Sequence, residues 1–139
     1  MFCILARSFH VSSRKTMSLT LDENNATYQI RGFTPGCIQI NDRLFHTSII
    51  IAPEKLIDFW RPQRIADLEA HDFSIILRFR PAILLIGTGA TLRFPPPATY
   101  GELINQGIGV EVMDTSAACR TYNALSAEGR DVVAALIIS

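Results

Sequence analysis

No stretch of this chain is long and apolar enough to span a bilayer. The longest apolar runs, residues 82–87 and 132–138, are the length of buried strands rather than the ~20 residues a membrane helix needs. An excess of basic charge is also absent. Thirteen Lys and Arg balance thirteen Asp and Glu, which argues against a nucleic-acid partner, because affinity for phosphate backbones rests on surplus cations. There is no Cys-x-x-Cys pair. Cys3, Cys37 and Cys119 are scattered, as are His10, His46 and His71, so neither a metal site nor a redox dithiol is expected. Three cysteines cannot all pair within one chain, and they read as reduced thiols in a reducing compartment. Gly-Lys-Ser and Gly-Lys-Thr do not occur, which removes a P-loop. Gly87-Thr88-Gly89 lacks the third glycine of a dinucleotide fingerprint and is followed by prolines where a helix should begin. No cofactor is expected.

What is present is globular. A hydrophobic content of 48% and a charged content of 19% suit a packed core, and the length suits one domain. Residues 1–16 differ in kind. They carry Arg7, Arg14 and Lys15 and no acid, the first being Asp22. Such a segment reads as a disordered tail, a targeting segment or a mis-assigned start. Met17-Ser18-Leu19 has the look of an N-terminus, so the expected domain runs over residues 17–139.

The expected fold class is α/β. Thr27–Phe33 alternates in polarity as a half-buried strand does, and Thr34-Pro35-Gly36 is a turn. Cys37–Ile40, Leu44–Ile51 and Leu56–Trp60 continue as strands, giving a β-rich N-terminal part. Asp67 can cap a helix running to Phe79, which Pro81 stops. Strands at Ala82–Ile86, Ile108–Met113 and Val132–Ile138 then alternate with a short helix after Pro97 and a longer one after Asp114 that closes at Gly129. Such alternation implies βαβ units with parallel strands.

If the strands ending near Gly87 and Met113 are parallel neighbours, Gly87-Thr88-Gly89 and Asp114-Thr115-Ser116 emerge together at the carboxyl edge, where ligands of open α/β sheets usually sit. Helix-start amides and Arg120 could hold an anion there. The competing account is that Thr88 and Asp114 satisfy backbone groups at a turn and a cap. Trp60, Arg61 and Arg64 form an aromatic and basic cluster, a candidate surface for a partner, and Trp60 or Phe33 could belong to an exposed apolar patch. Cys119 follows a helix start and precedes Arg120, which can activate a thiol, but no histidine is placed beside it. On a strand Glu111 and Asp114 point to opposite faces and cannot act as an acid pair. Glu111 reads instead as a structural carboxylate paired with Arg120 or Arg130. No catalytic residues emerge.

Leu85-Ile86-Gly87-Thr88-Gly89 with Leu92-Arg93-Phe94-Pro95, then Gly107 to Thr115, Ala117 to Asn123 and Glu128-Gly129-Arg130, resemble a family of small uncharacterised α/β domains. That family includes the mitochondrial respiratory complex I assembly factor 3 and an adipogenesis-associated cytosolic protein. The wording is closest to the bacterial members. The resemblance implies a single compact domain with a mixed sheet, no transferable activity, and work done by binding other proteins, as the mitochondrial relative binds assembly factors and subunits. It points to the bacterial cytoplasm, with the mitochondrial matrix as the alternative. The expectation is a non-enzymatic interaction or assembly protein with unidentified protein partners, no nucleic acid and no direct membrane insertion. The alternatives are a small-molecule or anion site at the two turns and a thiol enzyme at Cys119.

Overall fold

The apolar residues of the strand at the end of the chain divide cleanly between two cores. In a computed structural model, which describes residues 26–139, Val132, Ala134, Leu136 and Ile138 face one core and Val133, Ala135 and Ile137 the other. A strand apolar on both sides must be covered on both sides. This strand, β8 (Val132–Ile137), accordingly sits in the middle of a five-stranded sheet. Its neighbours are β4 (Ile49–Ala52), antiparallel, and β6 (Ile83–Thr88), parallel. β5 (Lys55–Ile57) pairs outside β4, and β7 (Gly109–Met113) pairs parallel outside β6. The order is β5-β4-β8-β6-β7, a mixed sheet.

One face is covered by α1 (Ser74–Phe79), by α2 (Gly101–Asn105) and by two short 3-10 turns, Ile65–Asp67 and Ala70–Phe73. Across the other lies α3 (Thr115–Ala127), which is itself covered by a three-stranded antiparallel meander of β1 (Ile30–Thr34), β2 (Cys37–Ile40) and β3 (Arg43–Phe45). The Asn123 carboxamide joins these layers. Its Oδ1 accepts from Ile30 N at 3.0 Å and its Nδ2 donates to Ile30 O at 2.7 Å, so one side chain stands in for a neighbouring strand at the edge of β1. Tyr122 adds a hydroxyl hydrogen bond to Tyr28 O at 2.9 Å.

Two expected elements are divided. Leu44–Ile51 is not one strand: β3 and β4 belong to different sheets, and between them Ser48 N donates to Gln63 Oε1 at 3.2 Å. The helix expected from Asp67 to Phe79 is broken at Leu68 and Glu69, both extended, and its α-helical part starts only at Ser74. It ends as anticipated before Pro81, with Arg80 left-handed at φ 51°. Cys37 is disulfide-bonded, which corrects the expectation of three reduced thiols, while Cys119 is free and buried. The expectations for residues 1–16 lie outside the described residues.

Candidate functional site

The two turns do meet. Gly89 N donates to Thr115 Oγ1 at 2.8 Å, Thr115 N donates to Gly89 O at 3.0 Å, and the Thr115 hydroxyl donates to Ile137 O. Thr115 thereby bolts the ends of β6, β7 and β8 together, and it is fully buried. Gly87 is glycine because α3 starts on top of it: a Cβ there would lie 2.8 Å from Leu136 Cδ2 and from Thr115 Oγ1. At Gly89, φ is 101° and a Cβ would meet Ser139 O at 2.9 Å. Thr88 Oγ1 donates to Thr91 O and accepts from Arg93 N. Asp114 caps α3 by accepting from Ala117 N at 2.8 Å. Among the described residues Arg120 hydrogen-bonds only Ser116 Oγ, at 2.9 Å on the exposed side of α3. The geometry anticipated for Gly87, Thr88, Gly89, Asp114, Thr115 and Ser116 is present, but its polar groups are satisfied from within and the start of α3 fills the space over Gly87. Ser116 and Arg120 instead border a shallow groove of about 170 Å³ between β1 and α3.

Open volume lies elsewhere. A cleft of about 720 Å³ opens at the opposite end of the parallel strands, between the β4–β5 turn, α1 and the start of β8. Its floor is apolar (Ile57, Ile75, Phe79, Val133), and its charged lining is mixed, Lys55 and Arg78 with Glu54 and Asp131. The Lys55 ammonium stands 6.0 Å from the Phe79 ring centroid.

Trp60 is not a surface aromatic. It is 4% exposed, tilts against Phe73 at 5.7 Å and donates its indole N–H to Asp72 O at 3.0 Å. Phe33 packs half-buried on the meander core. Arg61 is held by both oxygens of the buried Asp72 carboxylate, at 2.7 Å and 2.6 Å. Burial alone would raise the pKa of Asp72, but hydrogen bonds from Arg61 and from Glu69 N hold it below the ordinary carboxylate value. Of the three proposed partner-binding residues Arg64 is the most exposed, and it pairs with Asp67 at 3.3 Å. Glu111 is exposed with no ion-pair partner among the described residues, and Arg130 pairs with Glu128 instead.

Burial pushes the Cys119 thiol up to about 12, against a smaller lowering by Arg120, so the sulfur is protonated at neutral pH. His46 lies against Gly36 O and His71 beside Glu69, so neither histidine of the described residues is a base at Cys119. Burial and a raised pKa argue against Cys119 as a nucleophile.

Reading the residues singly missed the loop between β6 and α2. Leu92 is 49% and Phe94 70% exposed there, with Arg93 between them. The loop is braced by the Thr88 hydrogen bonds, by Ala90 N donating to Ser139 O at 3.3 Å, and by the buried Pro95 that opens a run of three prolines.

Residues 30–137 match the model of a family described as a protein of unknown function, DUF498/DUF598. The chain is 33% identical over 127 residues to the NADH dehydrogenase (ubiquinone) 1 alpha subcomplex assembly factor 3 of Danio rerio, covering 89% of this chain and 72% of that protein. It is 25% identical to the 13 kDa major membrane protein of Francisella tularensis, covering 87% and 99%. Among solved structures, a Bordetella parapertussis protein superposes with a TM-score of 0.76 at 39% identity, covering 82% of this chain and 98% of that one. No helix among the described residues is long and apolar enough to cross a membrane.

Proposed function

The chain belongs to the DUF498/DUF598 family, and from that membership we propose that it is a non-enzymatic assembly factor that binds subunits or assembly intermediates of a respiratory NADH dehydrogenase. The observation that carries this reading is Phe94, an aromatic ring 70% exposed on a proline-braced loop. A large apolar side chain held out on a stiff support has no role in the core, and it loses little conformational entropy when a partner covers it. The reading brings a location with it: the bacterial cytoplasm beside the membrane complex, or the mitochondrial matrix if residues 1–16 direct import.

A photo-crosslinking residue at position 94, expressed in cells, tests this. Crosslinks to NADH dehydrogenase subunits or their assembly intermediates are expected, and Phe94→Ser should lower co-purification of the same proteins at least about tenfold. Crosslinks confined to proteins outside that complex would reject the reading.

Small-molecule binding is a second reading, favoured by the cleft at the opposite end of the strands rather than by the turns first singled out. An apolar floor within a rim of mixed charge, Lys55 and Arg78 with Glu54 and Asp131, suits an apolar small molecule. Anilinonaphthalene sulfonate should bind saturably and be weakened by Phe79→Ala; no saturation at millimolar dye removes this reading.

A further inference from the structure

Among the described residues, β7 is the outermost strand of the five-stranded sheet and is bonded to β6 alone. Gly109 N donates to Ala82 O at 3.0 Å, so the backbone groups of Gly109, Glu111 and Met113 face β6. Those of Val110 and Val112, alternating with them, face outward. Among the described residues nothing bonds these two N–H and two C=O groups. The opposite edge is protected: β5 has only three residues and begins at the exposed Lys55, two common devices against strand addition. β7 has five residues, and Glu111 is its single charge.

The two faces of β7 differ. Val110 and Val112 pack half-buried on the face over which α2 lies, where Ile104 is 53% exposed. Glu111 and Met113 point to the face that carries α3. A strand added here would therefore set apolar side chains against the Val110 and Val112 face and one residue directly across from Glu111.

A second copy fits the hydrogen bonds but not the charge. Antiparallel pairing about a two-fold axis at Glu111 would let Val110 and Val112 exchange all four outward bonds with their counterparts. It would also oppose the two Glu111 carboxylates in a non-hydrogen-bonded pair with Cα atoms about 4.5 Å apart, where like charges destabilise. A lysine or arginine in that place turns the repulsion into attraction. We infer that β7 is a docking edge for an extended segment of a partner protein that alternates apolar and basic residues, with a basic one opposite Glu111, and that Glu111 keeps a second copy of this chain off the same edge. The inference rests on the protein-binding reading above for the nature of the occupant.

The test uses this chain with one charge reversed as the probe. Isotope-labelled wild-type protein is mixed with unlabelled Glu111→Lys chain and followed by sedimentation and by amide exchange. Each chain alone should be monomeric. The mixture should form a heterodimer in which exchange at the Val110 and Val112 amides slows at least about tenfold. Val112→Pro in the labelled chain should abolish the heterodimer and leave the β6–β7 ladder intact, because a proline whose missing N–H would face solvent is tolerated on an edge strand. A mixture that stays monomeric at about 1 mM, protection appearing away from β7, or self-pairing of the wild type through β7 would each overturn the inference. NADH dehydrogenase takes no part in this experiment, so its failure is distinguishable from failure of the crosslinks at position 94.

Discussion

The two ends of the parallel strands are built on opposite plans. At the carboxyl end, where open α/β sheets usually keep their ligands, Thr115 and Gly87 make a closed joint in which a helix start, two strand ends and a turn share one hydroxyl. At the amino end the strands run into a cleft with an apolar floor. The usual expectation assumes that helices begin at a distance from the strand ends and leave a crevice. Here α3 begins one residue after its N-cap and sits directly on Gly87, so the crevice is filled. Sheet topology alone does not locate a site; the residue at the helix start does.

The contrast can be broken most sharply at Thr115. Thr115→Val keeps the shape but strips the acceptor from Gly89 N and the donor to Ile137 O, leaving buried groups unsatisfied. A loss of about 3 kcal/mol is expected in urea denaturation. A loss below about 1 kcal/mol would show that water replaces the hydroxyl and that the joint is open. Gly87→Ala adds one methyl against α3 and should cost about 2 kcal/mol by overpacking; a neutral result would mean that Thr115 and Leu136 can withdraw.

Asp72 sharpens the comparison from outside both ends, since it secures the loop that carries Trp60. Its folded pKa is lowered. Its stabilisation is therefore fully present above the ordinary carboxylate value of 3.8 and is lost as pH falls below that, through the lowered folded value. Asp72→Asn should cost about 1.5 kcal/mol at neutral pH and flatten that part of the acid limb. An unchanged acid limb would remove Asp72 from the account. The smallest effect belongs to the open end: Lys55→Ala and Arg78→Ala on the cleft rim should each change stability by less than about 0.5 kcal/mol. A larger loss would make them structural residues rather than part of an open rim.

Much of the architecture was legible because it is written in local patterns. The uninterrupted apolar residues of β6 and β8 announced strands covered on both faces, and Asp114 and Gly129 marked the two ends of α3. The divided elements were not legible. Nothing local in Leu44–Ile51 shows that Ser48 N will be taken by Gln63, and the bond that satisfies the Trp60 indole comes from Asp72, twelve residues away. For the same reason Trp60 looked like a surface aromatic. The candidate turns were found correctly as neighbours. That Thr115 plugs them depends on the register setting Gly87 beside Met113, which no short motif encodes. In the loop bearing Phe94, Leu92 to Pro95 carry a family resemblance, but no local pattern marks the ring as exposed.

The Asn123 clasp has a consequence for synthesis. Its two bonds join residues 93 positions apart, so the first strand of the meander leaves the ribosome long before the side chain that will seal its edge. At ordinary elongation rates that interval is roughly 5–20 s. β4 is left waiting in the same way, because its partner β8 follows it by more than 80 residues. During those seconds the nascent chain displays an open strand edge and half a core, and a holding chaperone would find its client there.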